Sequence, residues 1–249
     1  MKMSEYTRGE WKKMKDKPFK ERLEFFWDYY KIPTIIVAVV VLALVYTATV
    51  WISAKDEVLN GILVNSVIPE EEPAFVQDFY EVAQLNPKKQ EVVMVTGLSL
   101  VSDTASMGYM SYQRIHAGVA AKETDFLVSD ESGFRQCAYD SSRMLKDLRE
   151  LFTPEQLAQL EGRLYYIDGS LLQRDYTGQE QEISYPSPSE PEKMADPIPV
   201  GINICDCEAF LKSYYSTNQP LYFAVIVNAP HEDRTLQFFE FIMEHTNKE

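Results

Sequence analysis

The longest feature in the hydrophobic pattern is an unbroken apolar run. Residues 32–53 read IPTIIVAVVVLALVYTATVWIS, 22 positions without a charge. At about 1.5 Å rise per residue a helix of this length reaches roughly 33 Å, enough to cross a hydrocarbon core of about 30 Å. Leu, Ile and Val fill its centre, Tyr46 and Trp51 lie toward one end, and Trp27, Tyr29 and Tyr30 lie toward the other, as interfacial rings prefer. A cleaved signal peptide would instead need a short basic start, an apolar run of about 7–15 residues and a small-residue cleavage site. Here 31 residues precede the run, residues 47–49 make a poor site, and there is no Leu-x-x-Cys lipobox. The pattern predicts an uncleaved signal-anchor, a single-pass transmembrane helix.

Ahead of the span, Phe19, Leu23, Phe26 or Trp27, and Tyr30 recur at helical spacing with Lys20, Arg22 and Glu24 between them. Two readings fit residues 1–31: a basic amphipathic helix on the inner leaflet, and a plain topogenic flank. Pro33 can kink the passage into the span. Lys12, Lys13, Lys15, Lys17, Lys20, Arg22 and Lys31 precede the span, and only Lys55 follows it closely. The positive-inside rule therefore puts the N-terminus in the cytoplasm and residues 54–249 outside.

Beyond the span, short apolar runs alternate with amphipathic stretches. Strands are expected at 61–68, 91–100, 124–129, 163–167, 200–204 and 221–227. Helices are expected at 73–85, 104–122 and 132–145, and from about His231, the last burying Leu236, Phe239 and Met243. Thr153-Pro154-Glu155-Gln156 carries a Thr cap, a Pro at the first helical position and a Gln placed for a capping box, so a helix should run from there to Gly162. Asp168-Gly169 between 163–167 and 171–174 reads as a hairpin or a tight turn. Residues 176–199 hold Pro186, Pro188, Pro191, Pro197 and Pro199 among Ser and Glu, which reads as a mobile acidic loop. The alternation argues a single-lobe α/β extracytoplasmic domain with a mainly parallel sheet.

Charge sharpens this division. Residues 1–31 hold nine Lys/Arg against six Asp/Glu, a net +3; residues 54–249 hold fifteen against thirty-two, a net −17. Such a surface repels nucleic acid and anionic lipid, so no nucleic-acid partner is expected and the carboxylates read as solubility.

Three stretches resemble bacterial type-2 extracellular solute-binding proteins. RIHAGVAAKETDF (114–126) runs into Leu127-Val128-Ser129-Asp130, then Phe134, Leu145 and Asp147-Leu148. This is similar to the helix, strand, helix and "d-L" segment of that family. Residues 199–204 resemble its return strand, and NAPHEDRTLQFFEF (228–241) its late strand-to-helix segment, with Thr235 or Leu236 where Ala is usual. Residues 25–31, FFWDYYK, leading into the span resemble uncharacterised anchored membrane proteins of Gram-positive bacteria. The first resemblance implies an extracytoplasmic binding module for a solute. That family generally has two lobes and carries a lipid anchor or none, whereas this chain has room for little beyond one lobe and carries a helix.

The candidate chemistry is sparse. On a strand Cys205 and Cys207 would share a face and, with His231, could hold a soft divalent metal. Two other readings stand beside that one: apolar cysteines buried at a strand end, and a disulfide from Cys137 to Cys205 or Cys207. His116 lies within an expected helix, His231 at a helix start and His245 in a last turn. Asp125 and Asp130 bracket a strand, and strand ends are where α/β sheets commonly bind ligands. No nucleophile elbow, His-Glu-x-x-His, dinucleotide fingerprint or phosphate loop occurs. The expected function is thus a membrane-anchored module engaging a peptide, solute or envelope protein, with no enzyme activity, cofactor or metal assigned. Two alternatives are an accessory subunit of a membrane complex and a thiol- or metal-dependent enzyme using Cys205 and Cys207.

Overall fold

The computed structural model describes residues 18–100, 105–173, 184–215 and 219–244. The chain falls into two units, Met1–Ala54 and Lys55–Glu249. The described part of the first is one helix of 35 residues, α1 (Phe19–Ser53), so the head helix and the apolar run are continuous. Within it Lys31–Thr49 has a mean hydropathy of 2.4 and no buried residue. The segment is long and apolar enough to be a membrane span or a signal sequence. Thr47 donates its hydroxyl to the Leu44 carbonyl at 3.0 Å and Thr49 to the Tyr46 carbonyl at 2.8 Å, which satisfies both groups within the helix. Pro33 lies inside the helix, where it supplies no N–H to the carbonyl one turn earlier.

The second unit is mixed α/β. In chain order it comprises β1 (Asp56–Val64), α2 (Ala74–Val82), β2 (Gln90–Leu98), α3 (Ala105–Ala121), β3 (Phe126–Asp130) and α4 (Glu131–Ala138). There follow α5 (Pro154–Gln159), β4 (Leu164–Asp168), β5 (Pro197–Asn203), α6 (Glu208–Tyr214), β6 (Leu221–Val225) and α7 (Glu232–Glu244). The six strands form one sheet in the order β2-β1-β3-β6-β5-β4. Alternate residues divide its two faces. Leu59, Leu63, Phe126, Val128, Phe223 and Val225 pack under α2, α6 and α7. Ile62, Val64, Leu127, Ala224 and Ile226 pack under α3 and α4.

The first face is dense with rings. Phe126 lies between Phe223, at 5.0 Å between centroids, and Phe238, at 5.2 Å, both nearly parallel to it. That stack has room because β1 places Gly61 opposite Phe126. A Cβ at position 61 would meet the ring's Cζ at 2.0 Å.

The sheet corrects the expectation of a mainly parallel one. β1 runs parallel to β2 and β3, but β3–β6, β6–β5 and β5–β4 are antiparallel. The reason is that an all-apolar strand reports burial on both faces, not direction: every residue of β6 is buried. Of the two readings of Asp168-Gly169, the tight turn is the one found: a 3-10 turn runs over Gly169–Gln173, and β4 pairs with β5 instead of closing a hairpin there. The Asp168 carboxylate accepts the Ser170 N–H at 3.0 Å and hydroxyl at 2.7 Å, together with the Ala195 N–H at 2.9 Å and the Asp196 N–H at 3.1 Å. It thereby ties the far end of the proline-rich stretch to β4. Part of 176–199 lies outside the described residues, but from Tyr185 onward the backbone is engaged. Tyr166 donates its N–H to the Pro188 carbonyl at 2.9 Å, Met194 is buried, and β5 begins at Pro197.

Four smaller differences are local. β1 stops at Val64 because Asn65 takes φ 56°, and α4 stops at Ala138, after which Arg143 takes φ 52°. α7 buries Thr235, Phe238, Phe239, Phe241 and Ile242, with Leu236 and Met243 only partly covered. The short helix α6 was not expected; Phe210 and Tyr214, one turn apart, are its buried face.

Candidate functional site

The two aspartates bracketing β3 sit at opposite ends of the strand, and both are engaged by the fold. Asp130 caps α4 and gathers donors on Oδ1: the Gly133 N–H at 3.0 Å, the Ser132 hydroxyl at 3.1 Å and the Asn65 amide at 2.9 Å. Asn65 in turn accepts the Leu100 N–H at 3.0 Å. Beneath them the Tyr215 hydroxyl contacts the carbonyls of Val64 and Val128 at 3.2 and 3.0 Å. Parallel order 2-1-3 makes the carboxyl ends of β1 and β3 the usual ligand crevice. Here it is filled by this network.

Asp125 is fully buried before β3. It accepts the N–H of Asn60 at 2.8 Å and of His231 at 2.7 Å, and pairs with His231 Nδ1 at 3.1 Å. A buried carboxylate needs such partners. The pair fastens the entry of β3 to the start of α7, whose Thr235 N–H bonds the His231 carbonyl at 2.9 Å.

The cysteine expectations need correction. β5 ends at Asn203, so Cys205 and Cys207 lie in the following turn and do not share a strand face: Cys205 is exposed and Cys207 is buried. Cys207 Sγ lies 3.7 Å from Met243 Sδ in the cluster beneath α7, whereas Cys137 lies in the cluster on the other face of the sheet. No disulfide joins them. Burial, with a smaller contribution from the Asp140 carboxylate, pushes the Cys137 thiol up to about 12. Among the described residues no group of three or more His, Cys, Asp or Glu side chains is placed to hold a metal, so Cys205, Cys207 and His231 do not converge. His245 lies outside the described residues.

What the sheet does create is a cavity of about 610 Å³ on the α3–α4 side. Helix α4 buries Gly133, Phe134, Cys137 and Ala138 against the sheet, which turns Ser132, Arg135 and Gln136 outward, followed by Tyr139. Tyr112 of α3, Asp140, Ser141, Leu171, Leu172 and Tyr185 complete the lining. Arg135 is fixed by the Glu131 carboxylate at 2.8 Å. Tyr139 and Tyr185 meet with centroids 4.3 Å apart.

Elsewhere in the lining Asp140 Oδ2 takes the Tyr112 hydroxyl and lies 3.2 Å from His116 Nε2, while Oδ1 takes the N–H and hydroxyl of Ser142. Burial, the largest influence on it, raises its pKa. The hydrogen bonds from Ser142 and Tyr112 together outweigh that and hold the carboxyl below the ordinary range. The Tyr112 hydroxyl is pushed the other way, by burial first and then by its bond to Asp140.

A smaller cavity of about 250 Å³ is lined by Arg163, Asn203 and Tyr222 among others. Its arginine is clasped by both oxygens of Asp206, at 2.8 and 2.6 Å.

Sequence reasoning named Asp125, Asp130 and the cysteines but missed Arg135, Tyr112 and Asp140. The outward face of α4 was visible as spacing; its apposition to Tyr112 and Leu172 depends on packing between distant segments. No protein-family model, curated protein or solved structure matches the chain.

Proposed function

We propose that this protein is a membrane-anchored extracytoplasmic binding module: α1 holds it in the bilayer with the N-terminus in the cytoplasm, and the α/β unit outside takes a ligand in the α3–α4 cavity. The observation that carries the reading is that cavity of about 610 Å³, within the range of small-molecule sites, with apolar walls and a few convergent polar groups. The exposed apolar window of α1 and the basic flank before it support the anchor and its orientation. The resemblance of residues 114–134 to solute-binding proteins points the same way. In the alternative reading, an enzyme built on Cys205 and Cys207, the two thiols would have to act apart, since one is exposed and the other buried.

The test is a thermal-shift screen of the full chain in detergent against anionic, neutral and cationic small molecules, with Ser132→Trp as the cavity-blocked control. A ligand at about 100 times its Kd stabilises by about 2.7 kcal/mol, or roughly 5–10 °C for a domain of this size. Compounds that raise the wild-type Tm should lose that effect in Ser132→Trp. Shifts of equal size in both proteins, or none with any compound, would overturn the assignment.

A further inference from the structure

We infer that the α3–α4 cavity selects a small aromatic carboxylate, its ring beside Tyr112, Tyr139 and Tyr185 and its carboxylate on Arg135. This rests on the binding reading above and narrows it to a chemical class. The two charged groups of the lining differ in how fully the fold uses them. Asp140, the carboxylate in the lining, has both oxygens occupied by Tyr112, His116 and Ser142, so it offers little to a ligand cation. Arg135 is in the opposite condition. A guanidinium carries five N–H donors in a planar fork. Glu131 is its hydrogen-bond partner, on one terminal nitrogen, and no further protein acceptor is seen on it among the described residues.

Among the described residues that line the cavity Arg135 is also the one cation, and its planar fork suits a carboxylate held by two parallel bonds. The remaining wall sets the other half of the ligand. Tyr112, Tyr139 and Tyr185 with Leu171 and Leu172 form an aromatic and aliphatic surface, and a cavity of about 610 Å³ is far larger than an inorganic anion requires. Residues 54–249 carry a net −17, so the surrounding field disfavours free anions. Selection must therefore come from contact, with the ring's burial adding to the arginine bond.

Glu131 makes the inference sharply testable because it competes with the ligand for the same guanidinium. Removing its charge should strengthen binding, an effect that a merely structural role for Arg135 would not produce. The probes are 4-hydroxyphenylacetate, its neutral amide 4-hydroxyphenylacetamide, and the cation tyramine, titrated calorimetrically into the full chain in detergent. The acid should bind saturably and at least about tenfold tighter than the amide or amine, as expected for a charge-assisted pair.

Arg135→Gln should lose that preference, and Glu131→Gln should tighten the acid several-fold while leaving the amide unchanged. If Arg135→Gln fails to fold, the Glu131→Gln gain decides the matter alone. Equal affinity for acid and amide would overturn the class, as would an unchanged Glu131→Gln affinity. If other compounds in the thermal screen bind and these three do not, the class falls while the binding module stands. If nothing binds, both fall.

Discussion

Replacing Gly61 by Ala tests the packing of the sheet's aromatic face directly. The added Cβ would stand 2.0 Å from Phe126 Cζ and 2.4 and 2.5 Å from its two Cε atoms. Carbon atoms pack at about 3.5–4.0 Å, so the ring must retreat by roughly 1.5 Å. It has nowhere to go: Phe126 is fully buried, with Phe223 and Phe238 stacked within 5.2 Å of it. Overpacking a well-filled core costs about 1–3 kcal/mol, and a flat ring held by its neighbours puts this site at the top of that range. About 3 kcal/mol corresponds to a fall in Tm of roughly 6–12 °C for a domain of this size.

The assay is thermal unfolding by circular dichroism of the full chain in detergent, alongside Phe126→Leu and the double variant. Because the two residues are cross-strand partners, the double variant should lose less than the sum of the single losses by at least about 1 kcal/mol. A Gly61→Ala protein that melts within about 1 °C of wild type, or strict additivity in the cycle, would refute this account of the stack.

Three further outcomes follow from individual groups. For Asp168, burial raises the pKa and is the largest single influence, but the bonds from Ala195, Ser170 and Asp196 outweigh it and leave the folded value lowered. Its contribution is complete above the unfolded value of about 3.9 and is lost as pH falls through the lower folded one. Asp168→Asn should therefore be less stable at pH 7 and lose Tm less steeply than wild type in a melt series below about pH 4. Thr153 and Gln156 form a reciprocal capping box on α5, and Thr153→Ala should cost about 1 kcal/mol in denaturant unfolding. Cys137, buried and kept protonated, should resist maleimide at pH 8 until denaturant is added, whereas exposed Cys205 reacts at once.

Much of the framework was legible because its signals are local. An uncharged run reads as a membrane-length helix, and Thr153-Pro154-Glu155-Gln156 reads as a helix start, because the physics lies within a few residues of chain. Strand direction was not legible: β6, LYFAV, is apolar throughout and carries no mark of pairing antiparallel to both β3 and β5. Asp168-Gly169 marked a turn but not which strand β4 would pair with. The buried carboxylate found partners at Ala195 and Asp196, so β4 pairs with β5 across the proline-rich connection. The cavity was invisible for the same reason. Arg135 stands out only when the fold sets it in one lining with Tyr112, Tyr185 and Leu172, which no short window of sequence brings together.

The exposed thiol of Cys205 provides the most direct test of the central claim, that the α/β unit is held outside the membrane by α1. Intact cells making the full chain are treated with a membrane-impermeant maleimide, and labelling is compared before and after permeabilisation. The account predicts labelling of wild type in intact cells, its loss in Cys205→Ser, and little further gain on permeabilisation. Labelling that appears only after the membrane is opened would place the unit in the cytoplasm and contradict the account.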